Sequence, residues 1–303
     1  MLWFKNAQVY TLSDSFEFDE TTAEEQLQQH LFGPCQKQQT VSLGWVPAIP
    51  DTDALIHRSG NNYLLCVKRQ ERLLPGAVVN EVLAEKVEAI QLNEDRRVGS
   101  KERQTLKDEV IFELLPQAFL RSTLNYVFLN PVKKLLIVNV ASDKRSDEVT
   151  AFMRDSLGSL PVKMLSSDCQ PAPVLTSWLE NPETAPEQVL LLPDLELSYS
   201  HNPDIKVRLK NLELESDELQ MHLSEGALVQ QIALSWQERI DCVINHKAQI
   251  KRLRFADLLT EQALNDAGDD KASQFDASFT IMAEMLVQLV EDIRHWFQTR
   301  QPS

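Results

Sequence analysis

Apolar residues recur at helical spacing at Leu106, Val110 and Leu114, with Phe112 or Leu115 beside them, while Lys107, Asp108, Glu109 and Glu113 fall on the opposite face. This spacing predicts a helix that Pro116 ends, with Phe119 at the break and Arg121 just after it. An alternating stretch then runs through Tyr126 to Leu129, turns at Asn130-Pro131 and returns as 135–140. Helix, tip and hairpin form one unit, and the chain is arranged around it. Upstream, residues 2–11 alternate as a strand and residues 19–32 read as a helix with acids in its first turn. Gly44-Trp45-Val46-Pro47 is a short apolar stretch closed by proline. Residues 54–57 and 63–67 flank Ser59-Gly60-Asn61-Asn62 as a hairpin with a basic far end at Lys68, Arg69 and Arg72. Val78, Val82, Val87 and Ile90 predict a second helix over 75–92, joined to the first by a charged link. The two make a helical hairpin with a basic connection.

Downstream, 143–157 reads as a helix ended at Gly158, followed by a strand over 160–165. Residues 168–204 carry Pro171, Pro173, Pro182, Pro186, Pro193 and Pro203, so they read as linker-like or as an edge of short elements, and a boundary is placed near 165. Residues 205–210, Ile-Lys-Val-Arg-Leu-Lys, alternate apolar and basic, so a strand there would project three cations from one face. A helix over 215–223, strands over 228–236 and 239–244, a basic strand over 250–255 and an amphipathic helix over 280–297 complete the reading. Helix, hairpin and helix occur near 106–156 and again near 216–265, which suggests a duplicated plan. The expected class is α+β with antiparallel sheets and a helical hairpin. Residues 1–75 with 120–165 would form a central unit, 76–119 the hairpin tip, and 166–303 a C-terminal unit.

A chain of 303 residues with 43% hydrophobic content can bury a substantial core in two or three subdomains. The N-terminal Met1-Leu-Trp-Phe-Lys5 turns polar too soon for a signal peptide and no apolar run is long enough to span a bilayer, so a cytoplasmic protein is expected. Cys35, Cys66, Cys169 and Cys242 form no CxxC pair and read as reduced thiols. The net charge of −15 argues at first against a nucleic-acid partner. Charge is segregated, however. Residues 57–163 hold 17 bases against 14 acids, residues 164–204 hold no base against 7 acids, and residues 205–254 return 8 bases against 7 acids.

Several chemistries are excluded. No two of the eight glycines lie within ten residues of one another, so neither a Walker loop nor a GxGxxG turn is present. The six histidines show no HExxH spacing, and no GxSxG elbow exists. Asp51 and Asp53 could suggest a metal pair, but a proline-flanked turn explains them. Pro193-Asp194, nine residues, then Asp204-Ile205-Lys206 fits loosely the PD…(D/E)xK arrangement of magnesium-dependent nucleases, in which two carboxylates hold the metal and a lysine stabilises developing charge.

Seven stretches taken in order resemble the bacterial recombination-associated protein RdgC family over nearly the full length. They are residues 1–6 (MLWFKN), 43–47 (LGWVP), 106–119 (LKDEV and LLPQAF), 156–162 (SLGSLPV), 234–240 (LSWQERI), 251–255 (KRLRF) and 275–279 (FDASF). Two positions depart from the family pattern: Gln117, where a basic residue is usual, and Asn211, where glutamine is usual. The resemblance implies a non-catalytic protein without cofactor, built as curved multi-subdomain subunits that pair at both ends as a ring-shaped homodimer enclosing duplex DNA. It also implies nucleoid association, little sequence preference, restraint of RecA-promoted strand exchange and a role in replication fork repair. Single-stranded DNA is left open as a second ligand. A basic inner wall within an acidic exterior would reconcile the net charge with this partner.

On that resemblance, the inner-wall candidates are Arg96, Arg97, Lys101, Lys107 and Arg121 from the hairpin and its tip, and Lys206, Arg208 and Lys210 from the alternating strand. Lys251, Arg252 and Arg254 follow them, and Phe119 is placed at a subunit contact. Two other readings stand beside this one: the magnesium-dependent nuclease, and a regulator that binds the recombinase through its acidic surface without touching DNA.

Overall fold

The computed structural model describes residues 2–49, 52–267 and 270–298. The chain runs through β1 (Asn6–Leu12), α1 (Glu20–Gln28), β2 (Val41–Val46), β3 (Ile56–Ser59) and β4 (Asn62–Leu73). The helical hairpin follows as α2 (Gly76–Glu94) and α3 (Ser100–Leu114), then β5 (Phe119–Asn130), β6 (Leu135–Val138), α4 (Asp143–Leu157) and β7 (Val162–Met164). The second half holds α5 (Pro171–Glu180), β8 (Val189–Tyr199), β9 (Asn202–Leu209), α6 (Asp217–Ser224), β10 (Ala227–Trp236), β11 (Ile240–Asn245) and β12 (Ile250–Phe255), and closes with α7 (Asp257–Ala267) and α8 (Lys271–Phe297).

Twelve strands form one antiparallel sheet in the order β2-β4-β5-β6-β1-β12-β11-β10-β8-β9, with β3 beside β4 and β7 beside β1. The fold is therefore α+β. The joint is β1, whose start pairs with β12 through Asn6 and Ala7, while its remainder pairs with β6 and β7. Strand alternation gives each half an apolar face on the same side. Leu64, Phe128 and Ile137 from one half and Ile232, Trp236 and Ile244 from the other meet α8 in a single core with Phe279, Leu286 and Ile293. At about 1.5 Å per residue, α8 is roughly 40 Å long, enough to run beneath both halves. The Trp236 indole donates to Asp292 of this helix at 2.8 Å.

The other face is treated differently in the two halves. Over β1, β2 and β4–β6 it is sealed by α1 and α4, which bury Tyr10, Leu27, Trp45, Val67, Val138, Val149 and Met153 in a second core. Trp45 donates to Ser156 at 2.9 Å and Tyr10 to Ser146 at 2.7 Å, which fixes the register of α4 on the sheet. Gly44 is required here: a Cβ would stand 2.2 Å from the Phe32 backbone, where the chain after α1 crosses β2. Over β8–β12 neither core reaches this face.

The helices α2, α4 and α6 fall within two residues of the spans expected for them, whereas α3 starts at Ser100, inside the expected link and ahead of its first periodic residue Leu106. Other expectations are corrected. Residues 168–204 are no linker: Pro171 and Pro173 occupy the first turn of α5, where missing N–H groups cost nothing, and β8 is 11 residues long. Pro193 is accommodated because β8 bulges against β10 between the Ile232–Leu195 and Leu234–Leu191 pairs. The helix expected at 280–297 begins nine residues earlier, at Lys271, capped by the Asp270 side chain on the Ser273 N–H. The strand expected at 126–129 starts at Phe119, so β5 pairs with β4 through eleven residues as a long ribbon. The strand at 160–165 contracts to β7, and the first strand begins at Asn6.

Candidate functional site

Alternation along β9 sends Leu209 into the core and leaves Val207 half-buried, while Lys206 and Arg208 point outward with side chains 56% and 73% exposed. Lys210 follows the last residue of the strand and is also exposed. Register carries this polar face across the sheet: Arg208 stands opposite Glu196 of β8, Glu196 opposite Gln231 of β10, and Gln231 opposite Asn245 of β11. On β12, Arg254 stands opposite Asp241 and Lys251 opposite Val243 and Asn6. Lys251 and Arg254 are three apart, yet they share a face, because a bulge inserts the exposed Arg252 at φ +52° between them. Lys206, Arg208, Lys251 and Arg254 thus belong to one open face. From β9 to β12 it spans four strand spacings, roughly 19 Å at ~4.8 Å each.

A polar seam bounds this face where the two halves join. Asn245 donates to Gln249 at 2.7 Å, Gln249 donates to Gln8 at 2.9 Å, and all three side chains are buried. Gln249 also reaches Asp143 at the start of α4, and Lys247 pairs with the same carboxylate at 2.8 Å. The Lys247 ammonium, followed by the Gln249 amide, holds the Asp143 carboxyl below its usual range.

The remaining candidates lie on the helical hairpin and its ribbon. Arg97 and Lys101 are exposed at the link between α2 and α3, and Lys107 is half-buried along α3. Arg96 is clamped by Glu102 and Glu94, each at 2.6 Å, which raises its already high pKa. The hairpin as a whole, residues 76–115, holds 9 acids against 6 bases, so the basic character predicted for it is confined to the link. Arg121 on β5 stands opposite Glu71 of β4 and donates to it at 3.0 Å. Glu71 is shared with the buried Arg69, which also holds Glu148 at 2.9 Å. Hydrogen bonds from Arg121 first and Arg69 second pull the Glu71 carboxyl below its usual range.

Phe119 is 84% exposed, opposite Leu73 at the far end of the ribbon. Leu120, Leu124 and Phe112 are exposed as well. Alternation along β5 puts Phe119 on one face of the ribbon and Leu120 and Leu124 on the other, and of these only Phe119 was signalled in the sequence. The alternation of Leu120, Ser122 and Leu124 was the available sign that apolar residues continue on a ribbon face with nothing above it.

The nuclease-like pattern does not converge. The β8–β9 register sets Asp194 level with Lys210, six residues along β9 from Asp204, a separation of about 20 Å. Asp53 is exposed, and Asp51 lies outside the described residues. Among the described residues, no group of three His, Cys, Asp or Glu side chains is placed to hold a metal ion, and no helix is long and apolar enough to cross a membrane. The four cysteines are free and buried, and burial raises the Cys66 thiol to about 12.

Residues 2–300 match the family model RdgC, described as "Putative exonuclease, RdgC". Among curated proteins, the chain is 38% identical over 296 residues to the recombination-associated protein RdgC of Pseudomonas fluorescens strain Pf0-1, covering 96% of each chain. It is 38% identical over 297 residues to the protein of the same name from Pseudomonas aeruginosa PAO1, again over 96% of each. With that of Pseudomonas entomophila L48 it shares 39% over 283 residues, which is 93% of this chain and 92% of the relative.

Proposed function

The chain belongs to the RdgC family, and from that membership we propose that it is a recombination-associated protein that holds duplex DNA by its phosphates, without catalysis and with little regard to sequence. The observation that carries this reading is the open face over β8–β12, where cations from β9 and β12 share one surface that neither core covers. Its span of roughly four strand spacings suits a double helix better than a small ligand. Lysine and arginine on a flat polar face make salt-dependent contacts to phosphate and give no pattern with which to read base edges.

In the same reading, two copies close into a ring with the exposed Phe119 at the end of the ribbon at one contact, where an aromatic anchor would lose its water. The link cations Arg97 and Lys101, and Arg121 on the arm, would then line the passage with the sheet face. Duplex held inside is withheld from the RecA filament, which would restrain strand exchange, and the acidic exterior would keep other nucleic acid away.

Dissociation from closed circular, linear and end-blocked duplex tests this. Enclosure predicts slow release from circular and end-blocked DNA and fast release from open ends, and equal release from all three would remove the ring. Magnesium added to the same mixtures tests the exonuclease named in the family description, since shortening of the linear duplex would favour it. Strand exchange inhibited without any retarded duplex would favour the protein-only regulator.

A further inference from the structure

Of the eleven cations assigned to the phosphate surface, four are engaged by carboxylates of the same chain. Lys206 and Arg208 share Glu196, Arg121 is held by Glu71, and Arg96 is clamped between Glu94 and Glu102. Glu196 is the instructive case. It lies in the middle of β8 on the polar face, 7% exposed, with Arg208 Nε at 2.7 Å and Lys206 Nζ at 3.8 Å. Gln231 flanks it on the other side in the sheet register.

A buried carboxylate is costly unless paired, so Glu196 needs these cations. They do not need it to the same degree, since both extend well into solvent. A carboxylate oxygen that accepts the Arg208 Nε proton at 2.7 Å occupies the position a phosphate oxygen would take. We infer that Glu196 is a built-in competitor of DNA phosphate, so that each phosphate bound by β9 exchanges with an internal anion. Binding then trades one ion pair for another, and the contact is weak and quickly reversed. A protein that must hold duplex yet let it move is served by such contacts, and Glu94, Glu102 and Glu71 set the same condition at the link and the arm.

This inference rests on the proposed DNA-binding reading, and the test separates the two. Glu196→Gln keeps the shape and removes the charge, leaving two cations that can be solvated. Affinity for a mixed-sequence duplex at low salt should rise about fivefold, since a partly exposed ion pair no longer competes. The salt dependence should steepen by about one per cation freed. The same substitution in a Lys206→Gln/Arg208→Gln background should change nothing. Glu94→Gln/Glu102→Gln, which frees Arg96 at an exposed link without touching the core, should also tighten binding, and it decides the matter if Glu196→Gln melts below the assay temperature. Unchanged or weaker binding in the carboxylate variants, with the unsubstituted protein still retaining duplex, would overturn the competitor role and leave the DNA reading in place. No retention of duplex by the unsubstituted protein would overturn both.

Discussion

The two halves of the sheet share strand alternation, antiparallel pairing and the long helix α8 beneath them, yet they finish their second faces in opposite ways. Over β2, β4 and β5, Trp45, Val67 and Val127 lie under α1 and α4. Over β8–β12, the equivalent face carries Arg208, Glu196, Gln231, Asn245 and Arg254. Ala233 and Val243 on that face are shielded, 9% and 8% exposed, yet they belong to neither core and can be covered only by their longer neighbours. A sheet needs one apolar face to fold, and the second is free to serve either packing or a ligand. This chain packs helices on the second face of one half and leaves that of the other open.

The largest expected effect comes from the apolar face that both halves need. Phe128→Ala removes a fully buried ring that meets Phe279 of α8 at 6.2 Å between centroids, and should cost about 3–5 kcal/mol in urea unfolding. Lys210→Gln/Lys251→Gln/Arg254→Gln at the open face, none of which pairs with the buried Glu196, should leave the unfolding free energy within about 0.5 kcal/mol of the parent. A large stability loss from that triple substitution would break the contrast.

Next in size is the effect of the same triple substitution on DNA. Removing three phosphate contacts should flatten the salt slope by about 2.7, and should weaken binding at low salt by roughly 10- to 100-fold on every duplex tested.

A smaller effect is expected at the arm. Because the Glu71 carboxyl is held below its usual range, its folded pKa lies below its unfolded one. Its contribution to stability is full above the unfolded value and is lost as pH falls through the folded value. Glu71→Gln should therefore lower stability at neutral pH by about 1–3 kcal/mol, the usual loss when charged hydrogen bonds are removed, and flatten the decline of stability below pH 4.5. Urea titrations at neutral and acidic pH measure both. The smallest effect is that of Arg254→Gln, a single exposed cation opposite Asp241, which should weaken duplex binding by only a few fold and shift the salt slope by about 0.9.

The helices of the hairpin were legible in the sequence between the breakers Pro75 and Pro116, but the inward face of α2 was not: it is Val79 and Leu83 that are buried, while Val78 of the expected stripe is exposed. The helix α4 was legible because Gly158, at φ +72°, ends it. The strand β8 was not. Proline normally argues against an interior strand, and only the bulge facing β10 makes room for Pro193. The basic alternation of 205–210 was legible locally, but its partner Glu196 was hidden, since cross-strand register is a tertiary property that no local spacing encodes. The shared face of Lys251 and Arg254 was hidden for a similar reason: simple alternation puts them on opposite sides, and the bulge at Arg252 restores them to one. The hairpin looked more basic than it is, because the acids at Glu94 and Glu102 clamp Arg96 only once the chain turns at Asp95.

The most direct measurement is the affinity of the unsubstituted protein for two duplexes of equal length and unrelated sequence, titrated across salt. The open sheet face predicts two superimposable lines of log affinity against log salt, both falling steeply. Affinity indifferent to salt, or lines separated by sequence, would contradict a phosphate-binding face.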